Sequence, residues 1–198
     1  MSRLNEFIKS RIDNIIENGY TILVGDANGV DKSIQHYLFE RGYTNVIVFC
    51  VENNCRNNIG NWESRQIEVP CNKKKDFYYY SAKDVAMARE TDYGFMIWDA
   101  KSKGTLVNIV NLLKENKKTL VYLSPKRSFY TLSTYDDVEG LLSKCDTAYQ
   151  HRFEDRIKTR ETGQQAELHQ AFDAFRTNAL DNATSVARPR STATKRKS

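Results

Sequence analysis

The sequence predicts an α/β fold: a mainly parallel sheet of about four to five strands, with helices on both faces in a three-layer arrangement. Three observations carry this. Apolar segments of strand length alternate four times with segments of helical period. The strand segments are near-continuous runs of Val, Ile, Leu and Phe, the pattern of strands covered on both faces. Two of them pass through loops of small and polar residues directly into a helix start.

Taken in order, SRLNEFIKSRIDNIIENG places Leu4, Phe7, Ile8, Ile12, Ile15 and Ile16 on one helical face, with Gly19 as the stop. TILVG (21–25) is a short strand, and a helix from about Val30 to Arg41 buries Ile34, Tyr37 and Leu38. NVIVFCV (45–51) is the next strand. The stretch from Glu52 to Lys75 is polar and Asn-rich, reads as irregular, and is long for a connection, which marks it as functional or mobile. SAKDVAMARETD (81–92) is predicted as a helix capped by Ser81, and YGFMIWD (93–99) as a strand. KGTLVNIVNLLKENKK brings Leu106, Ile109, Val110 and Leu113 to one face. TLVYLSP (119–125) ends at Pro125, and STYDDVEGLLSKC (133–145) reads as a capped helix.

The predicted organisation is a domain over 1–145, a helical extension with a thin apolar stripe over 146–180, and a disordered basic tail over 181–198. Hydrophobic residues make up 40% of the chain, enough for a core, although the mean hydropathy of −0.64 is low. Residues 176–198 carry a net charge of +5, equal to that of the whole chain, so residues 1–175 are formally neutral. The basic balance is thus a property of the tail, and nucleic acid is expected as a partner only through it. Four cysteines and three histidines show no metal-ligand spacing, so no metal and no cofactor is predicted. MSRLNEFIKSRI lacks the apolar core of a signal peptide and no run is long enough to span a bilayer. The expectation is a cytoplasmic protein with reduced thiols and no membrane contact.

The chemistry concentrates in two strand-to-helix loops, Gly25-Asp26-Ala27-Asn28-Gly29 and Asp99-Ala100-Lys101-Ser102-Lys103-Gly104-Thr105. A glycine lets a ligand approach the backbone, and the N–H groups and dipole of the following helix attract an anion. Ser102 and Thr105 add hydroxyls, and Lys101 and Lys103 add positive charge. Parallel sheets bind ligands outside the carboxyl ends of their strands, so both loops are expected to frame one pocket. Asp26 and Asp99 follow strand ends and would orient a ribose hydroxyl or act as catalytic carboxylates, whereas for Asp31 and Asp84 a place in a first helical turn is explanation enough. Arg56, Asn57, Asn58 and Trp62 either close over a ligand or form a solvated loop. Trp98 and the aromatic run DFYYY (76–80) read as packing, and Cys55 has no neighbouring His to make it catalytic.

GDANGVDKSIQHYL resembles the motif GxAxGxDxxA of the YspA/YpsA-like and DNA-processing-protein-like branches of the SLOG superfamily, and FMIWDAKSKGTLVNIVNLL is similar to their WDGxSxGTxxxI segment. AKDVAMARETDYGFMIWDAKSKGTLVN also parallels the LOG-type phosphoribohydrolase stretch RKAxMAxxxDAFIxLPGGxGTxxE. The resemblance covers about residues 20–125 and implies a Rossmann-like domain, a nucleotide-derived ligand and a homodimer, as in related domains. It implies a phosphate-binding role for Lys83, from the Arg-Lys pair that here reads Lys83-Asp84. Gly104 and Thr105 match, but Asn108 stands where those enzymes carry the Glu implicated in glycosidic cleavage, and Ala100-Lys101-Ser102 replaces the PGG turn. An amide has no titratable carboxylate to serve as base or nucleophile.

The function expected is therefore binding of a nucleotide or derivative (ADP-ribose-like or a nucleoside monophosphate), as a sensor or sequestering module. One alternative is an N-glycosidic hydrolase or transferase that uses Asp99 or Asp26. Another is a nucleic-acid-associated module.

Overall fold

The first helix, α1 (Glu6–Glu17), forms where the sequence repeats apolar residues at helical spacing, and Asn5 caps it by accepting the Ile8 N–H. Its Ile8 and Ile12 are buried. There follow β1 (Ile22–Gly25), α2 (Val30–Glu40), β2 (Val46–Val51), β3 (Glu63–Ile67), α3 (Phe77–Glu90), β4 (Tyr93–Trp98), α4 (Lys103–Lys114), β5 (Lys118–Leu123), β6 (Ser128–Leu132) and α5 (Tyr135–Leu142). The computed structural model describes residues 4–52, 55–69 and 77–145. The predicted extension over 146–180 and tail over 181–198 lie outside them.

The single sheet of four to five strands is not what forms. Two three-stranded sheets form, ordered β1-β2-β3 and β4-β5-β6. The first is wholly parallel, with Val24 opposite Val48 and Val48 opposite Ser64. In the second, β4 and β5 are parallel and β6 returns antiparallel. Residues of β1 (Leu23–Gly25) and β4 (Tyr93–Met96) line one cleft, so the two strands face each other without a hydrogen-bonded ladder.

A continuous core nevertheless joins the sheets. Val24, Val46, Val48 and Cys50 of the first pack in one cluster with Ile97 and Tyr122 of the second, and Ile8, Ile12 and Leu38 of α1 and α2 cover them. Tyr122 Oη accepts a 2.7 Å hydrogen bond from Asn5, tying α1 to β5. Alternation along β2 turns Val51 away from that cluster and onto Tyr79 of α3. Helices thus cover β2 on both faces, as its unbroken apolar run requires.

Four local expectations change. The polar stretch after Glu52 contains β3, whose residues are largely exposed and whose partner is the apolar β2. The helix predicted from Ser81 starts at Phe77, so Ser81 is buried inside it rather than capping it, and Asp84 lies in its middle rather than its first turn. The antiparallel β6 follows a 3-10 turn at Ser124–Lys126 that Pro125 and the left-handed Arg127 shape. Cys50 and Cys55 form a disulfide with Cα atoms 5.0 Å apart, so reduced thiols are not what this pair shows, whereas the Cys145 thiol lies 3.6 Å from the Leu141 carbonyl. The helix at the end of the domain forms as expected, with Thr134 and Asp137 making a reciprocal cap. Among the described residues no helix is long and apolar enough to cross a membrane.

Candidate functional site

The first loop leaves β1 at Gly25 and enters α2 at Val30. A Cβ on Gly25 would overlap the Asp31 carboxylate and lie 2.9 Å from Lys83 Nζ, so only a glycine fits beneath these charges. Gly29 turns the chain at φ 102°, ψ −118°, a conformation that side-chain-bearing residues avoid.

Asp26 is 2% exposed and held by Arg56 from three directions. The Arg56 backbone N–H donates to Oδ2 at 3.1 Å, Nε to Oδ2 at 3.2 Å and Nη2 to Oδ1 at 2.7 Å. Burial by itself would push this carboxyl up. The hydrogen bonds and charge of Arg56, with Lys83 3.9 Å away, outweigh burial and hold it below its ordinary range. The guanidinium also lies 4.7 Å from the centre of the Tyr80 ring. Asn57 continues the clamp by donating from Nδ2 to the Asp26 carbonyl (2.7 Å) and to Asn28 Oδ1 (3.0 Å). Of the two readings of this segment, a solvated loop or one closing over the site, the structure shows Arg56 and Asn57 closing on the first loop itself. Trp62 packs against the core instead, donating its ring N–H to the Tyr43 carbonyl.

Gln35 is the residue that sequence reading missed. It is fully buried on α2, where Nε2 donates to the carbonyls of Gly25 (2.8 Å) and Asn57 (3.2 Å) and Oε1 accepts the Ile59 N–H (3.0 Å). One side chain therefore cross-braces the first loop and the Arg56 segment. Its signal was a polar residue beside Ile34 and three before Leu38, on the buried side of the helix.

Behind this clamp lies a charge cluster. Lys83, 4% exposed, contacts Asp84 Oδ1 at 2.6 Å. Asp31 accepts the Ala27 N–H at 3.1 Å. Burial pushes the Asp31 carboxyl up, and the charges of Asp84 and Asp26 add to that against the opposing pull of Lys83 and the Ala27 N–H. Among the described residues, Asp26, Asp31 and Asp84 thus lie close to Arg56 and Lys83. Lys83 lies against Asp84 and 3.9 Å from Asp26.

The second loop leaves β4 at Trp98, which is buried as packing predicts and donates its ring N–H to the Ser102 carbonyl. Asp99 Oδ1 accepts the N–H groups of Lys101 (2.9 Å) and Ser102 (2.7 Å), with Ala100 in the left-handed region at φ 63°. Ser102 caps α4 through the Thr105 N–H. Gly104 lies in the first turn, where an added Cβ would meet nothing within 4 Å.

Between the sheets runs a cleft of about 130 Å³ under α3 and α4. The first loop contributes Gly25 and Asp31 to it, α3 contributes Asp84, Met87 and Ala88, and α4 contributes Asn108 and Leu112. No residue of 99–105 lines it, so the second loop meets the cleft only through the helix it starts. Among the described residues no group of three or more His, Cys, Asp or Glu is placed to hold a metal ion. Comparison with known proteins finds no matching family model, curated protein or solved structure.

Proposed function

We propose that this protein binds a nucleotide or nucleotide-derived ligand, a nucleoside monophosphate or an ADP-ribose-like molecule, and acts as a sensor or sequestering module. The supporting observation is Gly104. It stands in the first turn of a 12-residue helix with open space above it and Ser102, Thr105, Lys101 and Lys103 around it. Glycine is costly in a helix and nothing in the packing here requires it. A phosphate that approaches the backbone at a positive helix end does.

The strand arrangement adds to this. Both loops follow the carboxyl ends of parallel strands, β1 in one sheet and β4 in the other, and parallel strands of this kind present their ligand sites at those ends. The SLOG resemblance over residues 20–125 points to the same class of ligand.

Cleavage of the glycosidic bond has less support. Asn108 offers no carboxylate, Asp26 is sealed beneath Arg56, and Asp99 Oδ1 caps two backbone N–H groups. The test is mass spectrometry of small molecules carried through purification, joined to thermal shifts with AMP and ADP-ribose. The expected outcome is a retained or stabilising phosphorylated ligand, release of no free base, and loss of the shift in Gly104→Asp. Release of base would establish the enzyme reading, and an unchanged shift in the variant would remove the second loop from the site.

A further inference from the structure

We propose that the Cys50–Cys55 disulfide is a redox-controlled latch on the first loop, opened by a dithiol reductant. While the bond is closed, Arg56 covers Asp26; its reduction frees the Arg56 segment to move away. This goes beyond the ligand reading and stands whatever the ligand is.

The two ends of the bond belong to different kinds of structure. Cys50 is fully buried in β2, which pairs with β1 on one side and β3 on the other. Cys55 is half-buried on the irregular segment that follows, and the next residue is Arg56. That segment is the one that seals the first loop. The Arg56 backbone N–H and guanidinium hold the Asp26 carboxylate, and Asn57 holds the Asp26 carbonyl. These are hydrogen bonds and an ion pair whose Arg56 side chain is 35% exposed, so water can replace them singly. The disulfide is the covalent hold on the residue beside them.

Two features separate this bond from one that maintains a fold. It joins cysteines only five residues apart, and the restraint a disulfide places on an unfolded chain grows with the loop it closes. Both cysteines also belong to the apolar cluster of Val24, Val46 and Val48, where a thiol packs as a small hydrophobe. Reduction therefore leaves the core filled and β2 paired. The chemistry is thiol–disulfide exchange. A thiolate of the reductant attacks Cys55 Sγ, on the more exposed residue of the pair. The S–S bond breaks, and its electron pair passes to Cys50 Sγ, which takes a proton. The second thiol of the reductant then displaces Cys55, which also leaves as a thiol. Two electrons and two protons pass to the protein, and the dithiol becomes a disulfide.

The experiment takes the full chain, oxidised in air, and treats it with dithiothreitol under native conditions. Peptide masses after alkylation in denaturant are expected to show Cys50 and Cys55 bonded before treatment and alkylated after it. Hydrogen exchange at the Arg56 N–H and tryptic cleavage after Arg56 should each accelerate tenfold or more on reduction, while exchange in β2 stays within twofold. Oxidised glutathione should reverse both changes. Cys50→Ala combined with Cys55→Ala should behave like the reduced protein with or without dithiothreitol, which assigns the effect to this pair rather than to the other two cysteines. Alkylation of the pair without reductant would overturn the proposal, as would resistance of the native bond to dithiothreitol. Unchanged exchange at Arg56 after reduction would show that the hydrogen bonds alone keep Asp26 covered. Equal acceleration in β2 would show that the bond holds the fold and is no latch.

Discussion

At the scale of single residues, three glycines that look alike in the sequence are held by different forces. Gly25 is fixed by crowding, because Asp31 and Lys83 occupy the place of a Cβ. Gly29 is fixed by its backbone, at φ 102° in open space. Gly104 is fixed by neither, and Gly140 shares that freedom in the interior of α5 rather than at a helix start. The pair separates folding from binding. Replacing an unconstrained helical glycine by alanine stabilises by about 0.5 kcal/mol. Gly104→Ala and Gly140→Ala should therefore both raise the urea midpoint, while only Gly104→Ala weakens the phosphorylated ligand. Wild-type affinity in both variants would mean that no ligand approaches the Gly104 backbone. Sequence alone pointed to glycines at the two loops, but which of them the fold itself requires depends on neighbours four or more residues distant, such as Lys83.

At the scale of elements, the apolar strands and helices were legible because their burial sets a period in the sequence. β3 was not: Glu63, Ser64 and Gln66 are exposed on an edge strand, and the pairing with β2 that makes it a strand leaves no periodic mark. The segment before it, Arg56 to Ile59, was equally opaque, since it has no regular structure and is ordered by partners. Gln35 is the chief of these. Gln35→Leu keeps the helix and fills much of the space, yet leaves the Gly25 carbonyl, the Asn57 carbonyl and the Ile59 N–H without that partner. Each buried group so orphaned costs about 1 kcal/mol or more, so a loss of about 3 kcal/mol is expected in urea denaturation. Hydrogen exchange should speed up at Ile59 before it does in β2. A loss under about 0.5 kcal/mol would show that water replaces the brace.

At the scale of the whole described domain, hydrophobic periodicity reports which face of a strand is buried and is silent on which edges meet. That is why the strands after α1 and α2 were readable while the division into two sheets was not. The antiparallel β6 adds a further strand that a βα pattern does not announce. The division into sheets does not divide the core, however. Val24, Val46 and Val48 from one sheet and Ile97 and Tyr122 from the other belong to one cluster beneath Ile8, Ile12 and Leu38. The two sheets should therefore unfold as one cooperative unit even though no ladder crosses from β1 to β4. Ile97→Val tests this at a modest cost of about 1 kcal/mol. If the core is shared, hydrogen exchange governed by global opening should accelerate to the same extent in β1 and β2 as in β4 and β5, by about fivefold for that loss of stability. Acceleration confined to β4 and β5 would show instead that the cleft separates two independently opening halves, and that the contacts of Ile97 with Val24 and its neighbours carry little of the stability of the first sheet.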